Sequence, residues 1–544
     1  MTTFTPAFSP TIGYDPAATL QAAQAMTNLS EVPGGQLSVA LLGDSFMAKN
    51  NSAVAVATAV WDNGVVTIGT SLAHGLRQSN PIRYVGVTGS ASTALNGVTT
   101  VRSIISTTSF TFATPPGVSI SAGSTATADL VMDLERLSTL GIITWANMFS
   151  GQRMNVVYNG GMGGDTTANM LLRLQSEIIP LKPQVCIILG GVNDTAVATN
   201  TAAVISGNLI SMASLCVQYG IIPILLTIFP VASGLASAST RQAVINQTNN
   251  LLKNYAGKNT NVLLIDTATS VMNPATGYML ASCVSSDGGN IHLGKLGARV
   301  AGQMIADVIG RNRYGYLLTA GALDNFNAST TNYNIIDNAP WVATGGVVGA
   351  GCSGTAAQGF NVLRTAGSGT AVASAPARTM VDDGDTIGFN QRLAITSGGA
   401  TDVFDIRVNQ GTDTSTSTRF VTGGTYELRM AMRVQNLQGS GLANITPSFS
   451  LNMTDSVTGF AYTTLLNAWV NTETAALDQA YPVGYCVTAD HTIVVRSLPF
   501  TIPTAVTSSN GAGVRIILQF SAALTAGNPP LIVDVGRVSI VRTA

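Results

Sequence analysis

The stretch Leu37-Ser-Val-Ala-Leu-Leu-Gly-Asp-Ser-Phe46 decides how this chain is read. A short, almost wholly apolar run ends abruptly in Gly-Asp-Ser, with room for a helix to follow. Runs of that kind are strands buried on both faces. A serine at the end of such a strand presents its hydroxyl above the carboxyl edge of the sheet, where open α/β sheets bind ligands. On its own, Gly-Asp-Ser is more often a turn and a helix cap than a nucleophile, so the rest of the chain must supply the context.

Four more apolar runs read as strands: Met154-Asn-Val-Val-Tyr158, Val185-Cys-Ile-Ile-Leu189, Ile221 to Phe229, and Val262-Leu-Leu-Ile265. Helical patterns lie between them, at Thr166 to Ile179 and Arg241 to Tyr255. Strand–helix alternation predicts an α/β domain built on a doubly wound parallel sheet with helices on both faces. Ser45 and Gly164 stand much farther apart than the roughly 30 residues of one crossover. The intervening Val-, Thr-, Ser- and Gly-rich segment, with alternating stretches at Val65 to Ile68 and Ser109 to Phe112, reads as an inserted small β domain.

The wording of that insert, His74-Gly-Leu, Tyr84-Val-Gly-Val-Thr-Gly, Leu95-Asn-Gly-Val-Thr-Thr-Val and Ser109-Phe-Thr-Phe-Ala, resembles a small β-module of phage tail and particle proteins. From about Ala320 onward everything reads as β. Tyr426 to Arg433, His491 to Arg496, Val514 to Phe520 and Leu531 to Val535 are strand candidates separated by turn residues. Such spacing predicts a C-terminal β-sandwich of jelly-roll type. Its phrases Gly423-Gly-Thr-Tyr-Glu-Leu and Leu531 to Ile540 resemble carbohydrate-binding jelly rolls. The expected boundaries are 1–50 and 128–317 for the α/β domain, 51–127 for the insert and 318–544 for the sandwich.

Composition narrows the function classes. Only 10% of the 544 residues are charged, against about 25% in typical soluble proteins. The 26 basic residues nearly cancel the 27 acidic ones, so no global field favours nucleic acid or anionic lipid. The most membrane-like window, Gly220 to Ala238, is interrupted by Pro223 and Pro230 and reads as a buried strand, not as membrane insertion. No Lys or Arg precedes Lys49, so the basic n-region of a signal peptide is missing. Cys186, Cys216, Cys283, Cys352 and Cys486 are widely spaced and suggest neither a disulfide framework nor a metal site. No cofactor is expected.

The chemistry concentrates in four blocks. The first ends in Ser45. The second is Asn159-Gly-Gly-Met-Gly-Gly-Asp-Thr-Thr167, where glycines allow close backbone approach and Asp165 or Thr166 is placed to cap the next helix. There the Gly164 N–H suits a developing oxyanion. The third is Leu189-Gly-Gly-Val-Asn-Asp-Thr195, in which Asn193 offers a neutral amide donor and Asp194 suits a helix cap. The fourth, Ser286-Asp-Gly-Gly-Asn-Ile-His-Leu-Gly294, places a carboxylate and an imidazole on one loop before a helix from about Lys295.

In this order the four blocks resemble the SGNH (GDSL-type) hydrolase family, whose consensus residues the chain spells as Ser45, Gly164, Asn193 and His292. The resemblance implies a flavodoxin-like α/β fold and a serine esterase. It implies Ser45 as nucleophile, the Ser45 and Gly164 N–H groups with the Asn193 amide as oxyanion hole, His292 as base and acid, and Asp287 as its orienter. Histidine arithmetic agrees: His74 lies in the insert and His491 in the sandwich, which leaves His292 alone in the α/β part. The family usually writes Asp-x-x-His, whereas Gly289 stands three residues before His292 and the nearest acid is Asp287. Asn290 would be a poorer orienter, being uncharged.

The expected activity is removal of O-acetyl groups from bacterial surface polysaccharide, O-antigen or capsule, by a phage tailspike acting outside the cell at the bacterial surface. Tail or baseplate proteins and two further copies of the chain, in a homotrimer, are the expected partners. A non-catalytic carbohydrate-binding adhesin on an esterase-like scaffold is the competing expectation, followed by an SGNH esterase or lipase acting on non-carbohydrate esters.

Overall fold

The computed structural model describes residues 37–310 and 344–542 apart from gaps, the longest at 86–96, 114–129, 409–420, 471–492 and 502–513. His491, Cys486 and the expected boundary at 317/318 lie outside the described residues.

Strand β1 (Leu37–Gly43) leads directly into a single helical turn, α1 (Ser45–Ala48). Six strands then form the insert: β2 (Asn51–Asp62), β3 (Val65–Thr70), β4 (Pro81–Val85), β5 (Gly97–Ser106), β6 (Ser109–Ala113) and β7 (Leu130–Ser138). Each pairs antiparallel with its neighbours in the order β2-β3-β6-β5-β4-β7, and β7 pairs back onto β2. The insert is therefore a closed six-stranded barrel with no open edge at that seam. Val66, Ile68, Ile82, Tyr84, Phe110 and Phe112 fill it. The closing strand β7 lies beyond residue 127, because β2 and β4 both need it to satisfy their backbone groups.

The α/β domain resumes with α2 (Ile142–Phe149), β8 (Met154–Gly161), α3 (Thr167–Arg173), β9 (Val185–Leu189), α4 (Ala202–Gln218), β10 (Ile222–Leu226), α5 (Ala238–Ala256), β11 (Leu263–Ile265) and α6 (Lys295–Ile309). Its five strands are all parallel in the order β11-β10-β9-β1-β8. Counted along this domain alone, that is the flavodoxin-like order 2-1-3-4-5 read backwards, with the switch point between β1 and β9. β9 and β10 are buried along their whole length, as strands covered on both faces must be.

Two elements differ from the sequence reading. The strand expected from Ile221 to Phe229 stops at Leu226, because side chains take over the next backbone groups. The Asn249 amide pairs with both the N–H and the carbonyl of Ile228, and the Gln242 amide accepts from Val231 N–H. The helix expected from Thr166 to Ile179 is regular only to Arg173, then widens into a π turn at Leu174–Ile178. Pro180 follows and has no N–H to continue the ladder. No helix among the described residues is long and apolar enough to cross a membrane.

Beyond residue 343 the described elements are all strands; Trp469–Val470 pairs parallel with β7 of the insert, and the main strands of the rest form two sheets. One runs through Ala356–Ala357, Thr344–Val348, Phe360–Ala366, Val403–Val408, Val514–Phe520, Ile445–Thr454 and Ala461–Leu465. The other runs through Cys352–Gly354, Thr370–Ser374, Asp385–Ser397, Leu531–Arg542, Thr425–Gln435 and Ile493–Arg496. Pairing is mainly antiparallel, and alternate residues such as Leu393, Ile395, Val533 and Val535 are buried.

The barrel is wired into the α/β sheet by Arg83, whose side chain is almost fully buried. Its Nη1 donates to the carbonyls of Asn159 (2.8 Å) and Gly161 (2.9 Å) at the end of β8, and its Nη2 reaches Glu177 at 3.4 Å. Truncating a buried cation strands its acceptors and its counter-charge without partners. Arg83→Met is therefore expected to destabilise the protein by about 3 kcal/mol, whereas Arg102→Met on the exposed face of β5 changes little; thermal unfolding of the two variants checks this.

Candidate active site

The site is built from strand ends that finish level. In register, Gly43 of β1 lies opposite Gly161 of β8 on one side and Leu189 of β9 on the other. The three loops leaving those ends carry Ser45, Gly164 and Asn193. α1 then folds back so tightly over β8 that a Cβ on Gly161 would sit 2.0 Å from the Ala48 nitrogen. Only glycine permits that approach.

Ser45 opens α1, and Asp44 caps it by accepting from the Phe46 N–H at 3.0 Å. At the first position of a helix, the Ser45 N–H has no intrahelical acceptor and is available to a ligand. Gly164 has φ +80, in the left-handed region that glycine occupies without strain. No heavy atom lies within 4 Å of where its Cβ would be. Asn193 donates one amide hydrogen to the Asp165 carbonyl at 2.9 Å, which holds the amide in place and leaves its second hydrogen free to point elsewhere.

The fourth block closes on the first. His292 Nε2 lies 2.8 Å from Ser45 Oγ, and His292 Nδ1 lies 2.5 Å from Asp287 Oδ2. A carboxylate at Nδ1 requires a hydrogen there, so Nε2 is the acceptor for the serine hydroxyl. Asp287 thus occupies the orienter's position despite the two additional loop residues. The loop makes room at Asn290, which has φ +56 and spends its carbonyl on the Ala232 N–H. Asp287 Oδ1 accepts from the Gly289 N–H at 3.0 Å, so a tight turn presets the carboxylate. The Phe46 ring packs edge-on against the imidazole, with centroids 5.6 Å apart.

Electrostatics follow from this packing. Burial, helped by the nearby Lys49 ammonium, lowers the His292 pKa against the opposing pull of Asp287. Partial burial works to raise the Asp287 pKa, but Lys49, the Gly289 N–H and His292 outweigh it and hold that carboxyl down at about 2. Asp287 therefore stays charged and His292 neutral into acidic solution, the pair of states a general base needs. Asp44 is wholly buried, and burial together with Asp165 and Asp194 pushes it up to about 7.

Several supporting residues were not evident from the sequence. Arg173 gathers the two glycine-rich strand ends, donating to the carbonyls of Gly160 (2.9 Å) and Gly43 (3.3 Å) while pairing with Asp165 and Glu177. Arg241 donates to the Val192 carbonyl (2.7 Å) and Thr195 Oγ1 (2.8 Å), bracing the Asn193 loop from α5. Asp194 caps α3 from outside, accepting from the N–H and hydroxyl of Thr167, while Thr166 is the N-cap itself. His74 spends both ring nitrogens on the backbone, at Ser106 and Leu76, and takes no part in the site.

The model of the GDSL-like lipase/acylhydrolase family matches residues 117–300. That segment is therefore similar to hydrolases of the GDSL/SGNH type; three of the four blocks lie inside it, and the fold brings Ser45 to them. A curated relative, the uncharacterized lipoprotein YqeF of Bacillus subtilis, is 33% identical over 97 residues, which is 16% of this chain. The chain spans only 40% of that relative's length. Among solved structures, a lipase/acylhydrolase from Enterococcus faecalis is 26% identical, with a TM-score of 0.25 over 29% of this chain and 75% of that one. A GDSL-like lipase from Bacteroides thetaiotaomicron is 21% identical, with a TM-score of 0.27 over 30% of this chain and 81% of that one.

Losing one oxyanion donor typically costs about 10²–10³ in kcat. Asn193→Ala is expected to fall in that range on p-nitrophenyl acetate, with KM nearly unchanged. Asp287→Asn should lower kcat by up to about 10⁴, as loss of an orienting carboxylate does in Ser–His–Asp enzymes. Asn290→Gly keeps the left-handed turn and should retain most activity. Steady-state kinetics of the variants check both expectations.

Proposed function

We propose that this protein is a serine esterase that removes O-acetyl groups from a bacterial surface polysaccharide, O-antigen or capsule, as part of a phage tail or tailspike. The observation that carries the esterase reading is the unbroken line Ser45 Oγ–His292–Asp287 at the carboxyl edge of the sheet, with hydrogen bonds of 2.8 and 2.5 Å. In this reading Ser45 attacks the ester carbonyl while His292 Nε2 takes its proton. The N–H groups of Ser45 and Gly164 and the Asn193 amide receive the negative charge on the carbonyl oxygen. As the tetrahedral intermediate collapses and the bond between the acyl carbon and the sugar oxygen breaks, His292 gives the proton to that oxygen, which leaves as the sugar hydroxyl. Water, activated by the same imidazole, then releases acetate and restores Ser45.

The polymeric substrate rests on separate support. Gly163 and Gly164 are exposed at the rim of the site, with no heavy atom within 4 Å of where their Cβ atoms would be. An open rim of that kind admits a chain lying across the site. The surface is low in charge, at 10% charged residues overall, which suits contact with neutral and weakly acidic glycans. The barrel and the C-terminal sheets give the polymer additional surface to rest on. Tail or baseplate proteins and further copies of this chain, as a homotrimer, are the partners such a role would require.

Acetate release from a panel of O-acetylated capsules and O-antigens is the test. Wild type is expected to release acetate from at least one, and Ser45→Ala from none. Cleavage of p-nitrophenyl acetate without release from any polysaccharide would leave an esterase of another substrate class. Binding to the polysaccharide with no turnover of either substrate would instead establish the adhesin.

A further inference from the structure

Asp287 Oδ2 accepts from two donors at once. His292 Nδ1 lies 2.5 Å away, and the Lys49 ammonium lies 3.0 Å away. Lys49 is the C-cap of α1, and its N–H donates to the carbonyl of Ser45 at 3.0 Å. One helical turn therefore carries the hydroxyl at one end and, at the other, the cation that grips the carboxylate behind the imidazole. The grip closes a ring: Ser45 to His292, His292 to Asp287, Asp287 to Lys49, and Lys49 back to Ser45 through the helix. Asp287 sits in a loop with two residues more than the usual Asp-x-x-His spacing, where the Gly289 N–H holds its Oδ1 from within the loop. The ammonium adds a second anchor, on Oδ2, from outside the loop.

We infer that Lys49 is a positioning residue of the Ser45–His292–Asp287 line, fixing the carboxylate behind the imidazole from the helix that bears the nucleophile. The inference rests on the esterase reading above and deepens it. The anchor has an electrostatic consequence as well. Among the described residues, the charges acting on His292 are Asp287 from its own loop and Lys49 from α1. Asp287 favours the imidazolium and Lys49 disfavours it, so Lys49 keeps the base neutral to lower pH. The sign is definite. Removing the Lys49 charge favours protonated His292, and the acidic limb of kcat/KM must move to higher pH. Both side chains of the ion pair are partly exposed, at 23% and 32%. The effect is accordingly that of one solvent-screened pair, about threefold to fivefold in kcat/KM on the acidic limb.

The experiment compares pH profiles of p-nitrophenyl acetate hydrolysis by the full-length wild type, Lys49→Met and Lys49→Arg. Lys49→Met is expected to shift the acidic limb upward and to lower plateau kcat with KM unchanged, and Lys49→Arg to restore the limb. Lys49→Gln, which removes the charge but keeps a polar side chain, should shift the limb in the same direction and gives the readout if Lys49→Met folds poorly. The pKa of His292 is also measured without turnover, by NMR titration of the three labelled histidines in a Ser45→Ala background with and without Lys49→Met. A raised His292 pKa with no turnover in the wild type would sink the esterase reading and keep the inference. An unchanged limb and an unchanged His292 titration in folded Lys49→Met would overturn the inference while leaving the esterase reading intact.

Discussion

The site depends on the position of β1 between β8 and β9. Its backbone hydrogen bonds set Gly43 level with Gly161 and with Leu189, and those pairings bring three loops from distant parts of the chain to one edge. A parallel sheet makes such alignment expensive to alter. A slip of one residue would turn every side chain of a doubly buried strand toward the wrong helix layer. The loops after the strands are then free to carry chemistry because the sheet itself cannot move.

Tight backbone packing at that edge leaves carbonyls with no strand partner, and buried or half-buried arginines supply what is missing. Arg173 binds the carbonyls of Gly43 and Gly160, Arg83 those of Asn159 and Gly161, and Arg241 that of Val192. Each guanidinium has several donors in a rigid plane, so one side chain can serve two carbonyls and a carboxylate together. In a chain with so few charges, a notable share of the buried cations is spent this way. The barrel participates directly, since Arg83 belongs to β4. The insert is thus part of the support of the β8 end and not a passive appendage.

Asp287 and His292 are tuned by the same economy of charge. Asp287 has three donors around it, from Lys49, Gly289 and His292, so its ionised form is strongly favoured. His292 is partly withdrawn from water beside Phe46, which favours its neutral form. The two environments push the groups toward opposite protonation states, which is the division of labour a Ser–His–Asp arrangement requires. Asp44 is held differently: it is buried beneath the turn that carries Ser45 and pushed up to about 7.

The sequence by itself determined the α/β alternation and the four chemical blocks, because apolar periodicity and glycine-rich strand ends are local signals. It also singled out His292, since only three histidines exist and the other two fall in β segments. It could not show that β7 closes the insert into a barrel, because strand closure is a pairing between residues far apart in the chain. It left the orienter undecided, since the spacing between Asp287 and His292 departs from the family pattern. In the tertiary structure Asp287 lies against His292 Nδ1, supported by a left-handed turn at Asn290, a backbone donor at Gly289 and the Lys49 ammonium at the end of α1. Lys49, Arg83, Arg173 and Arg241 were equally invisible, although each stands plainly in the sequence. Their partners are mostly carbonyls and carboxylates on other elements, and only the folded backbone brings those within hydrogen-bonding distance.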